Sequence, residues 1–374
     1  MPDVPSLTMT PLRRWCLVAV VAAVVLAAPL APRLLPASAS DVTAAELLSR
    51  VQASGDQPYS GYVETDGAVQ LPVGNDFSDL SELFGDRLRL RVWWADEQSW
   101  RVNRLLLSGE EDLVHDGNAT TSYDYERARA VLSRDPATRL PRTSDLVPPS
   151  LGRITTDGAD ASEVSRLPAR RIAGVSAPGL RLDPASEATT IDHVDLWVDE
   201  ETGLALEVNV YATGSDTPVL TSRFEDFSAE RPTAHEVAVS WSGQVEQERA
   251  DTVDLADAAN RYAPFKVPRN VAGLRRRTDS GVGAVGVYGT GVTRLIAVPL
   301  RDSDADTVRD ALLASPTAVT TRAGTLVSVG PLSVFLAAED GFNYVVAGTV
   351  TADTVTAAAK DLRQRVRIRT EAFR

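Results

Sequence analysis

The chain has 374 residues, with 51 acidic against 38 basic side chains and a formal charge of −13. That balance argues against nucleic acid and against broad adhesion to anionic headgroups. One cysteine, Cys16, and three histidines leave no disulfide framework and no thiolate metal site, so burial must stabilise the fold.

Arg13 and Arg14 precede an apolar run from Trp15 to Leu30, and Ala37-Ser38-Ala39 follows as a small-residue cleavage site. This is the layout of an export signal. Only 18 residues separate Arg14 from Arg33, and two of them are Pro29 and Pro32, which is short for a bilayer span. Residues 1–39 are therefore read as a signal peptide cut after Ala39, the alternative being an uncleaved anchor through residues 15–32. Cys16 lies at the start of the apolar run and not beside the cleavage site, which speaks against a lipidated N-terminus. The chain from Ser40 onward is expected outside the cytoplasm, in the cell envelope or on its extracellular face.

From Ser40 to Ala53, Val42, Ala45, Leu47, Leu48 and Val51 recur at helical spacing, and Gly55 ends the run, which predicts one amphipathic helix. Beyond it the period changes to two. Leu88, Leu90, Val92 and Trp94 alternate with Arg87, Arg89, Arg91 and Trp93, giving a strand with one apolar and one largely charged face. Trp100 and Val102 continue the pattern after Ala95-Asp96-Glu97-Gln98, a hairpin-sized turn. Other strands are read at 59–69, 112–116, 120–125 and 128–132. Residues 134–167 interrupt the pattern with Pro136, Pro141, Pro148 and Pro149, and predict a long excursion with one or two short helices around 145–154. Strands resume at 169–175, 180–182, 194–198, 204–211 and 218–227. The texture is an antiparallel meander with helices laid on one side.

A boundary is expected across residues 231–267, where 253–262 offers a short helix and Pro264, Pro268 and Arg275-Arg276-Arg277 make a loop-rich entry to the next unit. Strands at 282–288 and 293–299, two around 318–329 and two more at 332–337 and 343–348, with helices at 303–314 and 352–365, then describe a smaller α+β unit. The mature length suits two domains, each with its own core.

Chemical motifs are sparse. Gly281-Val282-Gly283-Ala284-Val285-Gly286 matches G-x-G-x-x-G, but a basic polar loop precedes it and alternating valines follow. A dinucleotide site needs a strand before and a helix after, so the run reads as a glycine-rich strand or tight turn. His115, expected in a loop, His193, expected on a strand, and His235 show no metal-binding spacing. No G-x-S-x-G elbow or S-x-x-K occurs, and acidic residues are expected chiefly in turns and at helix starts. No catalytic residue, metal or cofactor is expected.

Aromatic residues say more. Trp93 and Trp94 fall on opposite faces of one strand, and Trp100, Tyr123, Tyr125, Trp197, Tyr211 and Phe224 on others. Two readings stay open: ordinary core packing beneath helices, or a curved sheet whose inner face lines a lipid-sized cavity. In the second reading the lining residues are Leu88, Leu90, Val92, Trp94, Trp100, Val102, Leu196, Leu206 and Val208.

Several segments resemble a known family. They are Pro58-Tyr59-Ser60-Gly61-Tyr62-Val63-Glu64, the paired strands 87–94 and 99–106, Leu167-Pro168-Ala169-Arg170-Arg171-Ile172-Ala173-Gly174 leading to Gly179-Leu180-Arg181-Leu182, and Val194-Asp195-Leu196-Trp197-Val198-Asp199 before Thr202-Gly203-Leu204. Together they are similar to actinobacterial relatives of RseB/MucB and to the wider LolA/LolB lipoprotein-carrier fold. Ala205 stands where proline is common. The resemblance covers Ser40 to about Phe227. It implies an α+β, mostly antiparallel β fold: a half-open β-barrel capped by helices at 40–230, a linker at 231–267 and a smaller α+β domain at 268–374. It further implies a protein that is no enzyme, senses a lipid or other amphiphile and binds a membrane anti-sigma factor. The alternatives are a lipid or lipoprotein carrier working with an ABC transporter, and an extracellular hydrolase without a recognisable motif.

Overall fold

The computed structural model describes residues 37–38, 40–69, 78–117, 119–135, 139–238, 245–249, 259–260, 263, 265–277, 283–339 and 342–368. Nearly all of the export segment lies outside them, as do Gly281-Val282 and most of the helix expected at 253–262. No helix among the described residues is long and apolar enough to cross a membrane.

Helix α1 (Ala44–Gln52) begins where Thr43 Oγ1 accepts the Glu46 N–H at 3.2 Å, and it buries Leu47, Leu48 and Val51. Two antiparallel meanders follow. The first contains β1 (Tyr59–Gly67), helix α2 (Ser78–Gly85), β2 (Arg87–Asp96), β3 (Ser99–Leu105), β4 (Glu110–Asp116), β5 (Ala119–Asp124) and β6 (Arg129–Arg134). After helix α3 (Pro148–Thr156), the second contains β7 (Val164–Ile172), β8 (Val175–Leu182), β9 (Ile191–Val198), β10 (Ala205–Ala212) and β11 (Leu220–Ser228). Pairing of β1 with β11 joins the meanders into one sheet. Past helix α4 (Ala234–Val237), the short strand β12 (Glu246–Arg249) adds to β6 in parallel, polar and exposed throughout as suits an edge. The end strands β12 and β7 do not pair with each other, so the 12-stranded sheet stays open.

Alternation decides the two faces. On β2, Leu88, Leu90, Val92 and Trp94 are buried while Arg87, Arg89 and Arg91 are exposed. The inner face carries the main core, covered by α1 and by the proline-rich excursion. Asp145 Oδ2 accepts the Arg142 N–H at 2.9 Å around the turn Thr143–Leu146, and Pro148 and Pro149 open α3, where a missing N–H is harmless. Gly152 lets α3 lie close on the sheet, since a Cβ there would stand 2.9 Å from that of Ala205. The hydroxyls of Thr155 and Thr156 bond back to the carbonyls of Leu151 and Gly152. Packing, more than its own propensity, therefore holds α3.

The second unit begins with β13 (Phe265–Lys266) and the hairpin β14 (Asn270–Val271) and β15 (Leu274–Arg275). Its sheet runs through β16 (Gly286–Thr290), β17 (Thr293–Pro299), β18 (Val319–Thr321), β19 (Gly324–Val329), β20 (Leu332–Glu339) and β21 (Phe342–Gly348), in spatial order β16-β17-β21-β20-β19-β18. Helices α5 (Asp302–Leu313) and α6 (Ala352–Arg365) pack on this sheet, and β22 (Arg367–Ile368) returns to pair with β13. From Gly283 on, the glycine run leads into no helix: β16 turns directly into β17, and a Cβ at Gly286 would meet the Tyr288 ring at 2.5 Å. The two units touch. Thr351 N–H donates to Ala188 O at 2.8 Å, and Val292 enters the first core.

Acidic residues depart from expectation. Asp112, Asp195 and Glu207 are buried strand residues, matched by Arg101 at 2.6 Å, Arg181 at 2.7 Å and Arg170 at 3.2 Å. Burial pushes the Asp112 carboxyl up to about 6 although Arg101 opposes it. A pKa raised by folding contributes stability that is complete below the unfolded value and lost as pH rises through 6. The depressed His115 pKa works the other way over the same range, so the Asp112 share is read as a difference: the wild-type urea midpoint is expected to gain on that of Asp112→Asn as pH falls from 7 toward 4. A variant with the wild-type slope would assign the dependence to other groups.

Candidate functional site

Strand register builds a row across the inner face. Tyr59 pairs with Trp94, Trp94 with Trp100, Trp100 with His115 and His115 with Thr120, one residue from each of β1 to β5. The rings stack with centroids 5.7, 5.4 and 5.2 Å apart and planes within 16° of parallel. Phe224 meets Tyr59 edge-on at 6.0 Å at the inner end, and the Trp94 indole N–H donates to Gly55 O at 3.1 Å.

The outer end of the row is charged. Arg142 lies 4.9 Å from the Trp100 ring centre and forks onto Asp135 at 2.9 and 3.0 Å. Asp135 also accepts from Thr120 Oγ1 at 2.5 Å and stands 3.3 Å from His115 Nδ1. Burial pushes the His115 pKa below the ordinary imidazole value, against the pull of Asp135. Burial also disfavours the Asp135 charge, but the bonds from Arg142 and Thr120 outweigh it and hold that carboxyl below its ordinary range.

Other segments bring more charge to the same place. Arg139 forks onto Asp145 at 2.7 and 2.8 Å. Arg153, on α3, lies 5.9 Å from the Trp94 ring centre and pairs with Glu97 in the β2–β3 turn. Asp157, the residue after α3, is held by Arg277 and, at 2.5 Å, by Arg294 of the second unit. These groups line a cleft of about 820 Å³ that the buried Trp94, Trp100 and His115 also border. Its size falls in the range of small-molecule sites, roughly 300–1,000 Å³. Five arginines face four carboxylates there, within a chain of charge −13. Among the described residues no group of histidine, cysteine, aspartate and glutamate is arranged to hold a metal.

All nine candidate lining residues, Leu88, Leu90, Val92, Trp94, Trp100, Val102, Leu196, Leu206 and Val208, lie buried in one core beneath α1 and α3. Trp94 and Trp100 are the two of the nine that reach the cleft. His115, expected in a loop, is a buried residue of β4 stacked on Trp100. The arginines at 139, 142 and 153 escape sequence reading; their one signal is arginine recurring through a proline-broken stretch.

No family model matches the chain, and no curated protein matches it. Among solved structures, the chain is similar to one in the Pseudomonas aeruginosa MucA/MucB complex, at 15% identity over 87% of this chain and 98% of that one, with a TM-score of 0.49. It is also similar to the LolA superfamily protein NE2245 from Nitrosomonas europaea, at 14% identity over 53% and 98% with a TM-score of 0.24. LprF from Mycobacterium bovis is similar at 9% identity over 50% and 94%, with a TM-score of 0.30.

Proposed function

We propose that this chain is an extracytoplasmic regulatory protein of the RseB type. It binds a lipid or other amphiphile at the inner face of its large sheet, and a membrane anti-sigma factor or similar protein as partner. The observation that carries the reading is the cleft of about 820 Å³, which opens where the aromatic row leaves the core and is walled by Ser150, Arg153 and Ile154 of α3. An acyl chain entering there would follow Trp100 and Trp94 inward, beneath α3, onto the leucines and valines of β2, β9 and β10. The helix suits such a movement: a glycine and two back-bonding threonines fall within Pro148–Thr156, and one internal glycine alone costs about 1 kcal/mol against alanine. The export segment and the family resemblance over Ser40 to Phe227 support the same reading. A second unit at 268–374, beyond the one at 40–230, offers a surface that a carrier serving an ABC transporter does not need.

Titration of the mature protein with fluorescent acyl probes of increasing chain length tests the proposal. Saturable binding is expected, tightening roughly fourfold for each added methylene because each buried CH₂ contributes about 0.8 kcal/mol. Affinity that ignores chain length, or no saturation by a well-folded sample, would overturn it.

A further inference from the structure

We propose that Arg153 is the receptor for an anionic group on the ligand, a carboxylate or phosphate, and that Glu97 holds the place of that anion when the cleft is empty. The inference rests on the amphiphile reading for its ligand and adds the headgroup chemistry.

Of the five arginines of the cleft, Arg277 and Arg294 converge on Asp157. Arg139 and Arg142 are forked onto Asp145 and Asp135, and those carboxylates are only 19% and 25% exposed. Such bidentate pairs are fixed parts of the wall. Arg153 is different. Its Nη1 pairs with Glu97, while its buried Nε has no hydrogen-bond partner among the described residues. The Arg153 side chain is 23% exposed, whereas that of Glu97 is 52% exposed, on the turn between β2 and β3. The arginine is held over the Trp94 ring and the glutamate is free to swing out, so of the two the carboxylate is the exchangeable one. An incoming anion would take the place of Glu97 at the Nη1 edge of a planar guanidinium, the group that suits carboxylate and phosphate. A half-exposed ion pair is worth little to stability, so losing Glu97 costs the fold little. Arg153 also belongs to α3, which places the anion contact on the helix that covers the inner face.

Calorimetric titration of the mature protein with a palmitoyl lysophosphatidic acid, a palmitoyl monoacylglycerol and inorganic phosphate tests this. Wild type is expected to prefer the phosphate amphiphile. Glu97→Gln is expected to tighten that amphiphile roughly tenfold, the scale of one hydrogen bond to a charged group, and to leave the neutral one within twofold. Arg153→Gln should erase the preference and Arg153→Lys should keep part of it. Competition by inorganic phosphate in Glu97→Gln but not in Arg153→Gln would identify the free anion as sufficient. If neither amphiphile binds while inorganic phosphate still does so in that pattern, the anion site stands and the amphiphile reading falls. If both amphiphiles bind equally in wild type and in Glu97→Gln, the amphiphile reading stands and the assignment of Arg153 and Glu97 is overturned.

Discussion

Leu90→Arg is expected to abolish cooperative unfolding altogether. Leu90 is fully buried on β2, its neighbours across the register are Val63 and Arg104, and its side chain faces the core beneath the helices. A guanidinium there faces Arg104, which already holds Glu82 and Glu111, and an unpaired buried charge costs more than the margin by which most domains are stable. Leu90→Ala separates charge from volume: it leaves a cavity and is expected to cost about 2–5 kcal/mol while preserving the fold. Arg91→Ala, one residue along but on the exposed face, is expected to change stability by no more than about 0.5 kcal/mol. Thermal melts followed by circular dichroism order the three. A cooperative melt of Leu90→Arg near the wild-type temperature would mean that the inner face is open to water and not packed.

The contrast between Leu90 and Arg91 also marks what the sequence makes legible. Period-two alternation places the side chains of residues 87–94 on their correct faces, because the pleat leaves no other choice until the register shifts past Trp94. The closing helix was equally readable, since Thr351 caps it and Val355, Ala359 and Leu362 repeat at helical spacing. What covers the inner face was not readable in detail. Residues 148–156 carry two prolines, a glycine and two threonines, a weak helix signal, and tertiary packing makes them a helix. Helix α2 and the parallel strand β12 were missed because eight- and four-residue elements hold too few periods to register. The cleft was missed for a different reason. Its charged members come from β2–β3, the excursion and the second unit, and only the fold brings Glu97, Arg142, Arg153 and Arg294 together. His115 was misplaced because a lone histidine beside Asp116 and Gly117 looks like a turn, while the β3–β4 register sets it against Trp100.

The central claim is that ligand reaches the inner face by lifting α3, and a reversible lock on that helix tests it most directly. Residue 152 of α3 and Ala205 of β10 face each other so closely that a Cβ at 152 would lie 2.9 Å from that of Ala205. Disulfide geometry asks for about 3.8 Å between Cβ atoms, so Gly152→Cys with Ala205→Cys needs a rise of under about 1 Å, less than the thickness of an acyl chain. Past Cys16 the chain has no other cysteine, so the pair forms without competition. The measurement is acyl-probe titration of this double variant, oxidised and then reduced, with circular dichroism to verify the fold. The account predicts that oxidation weakens binding at least tenfold and that reduction restores it. Equal, wild-type affinity in the oxidised and reduced states would contradict it.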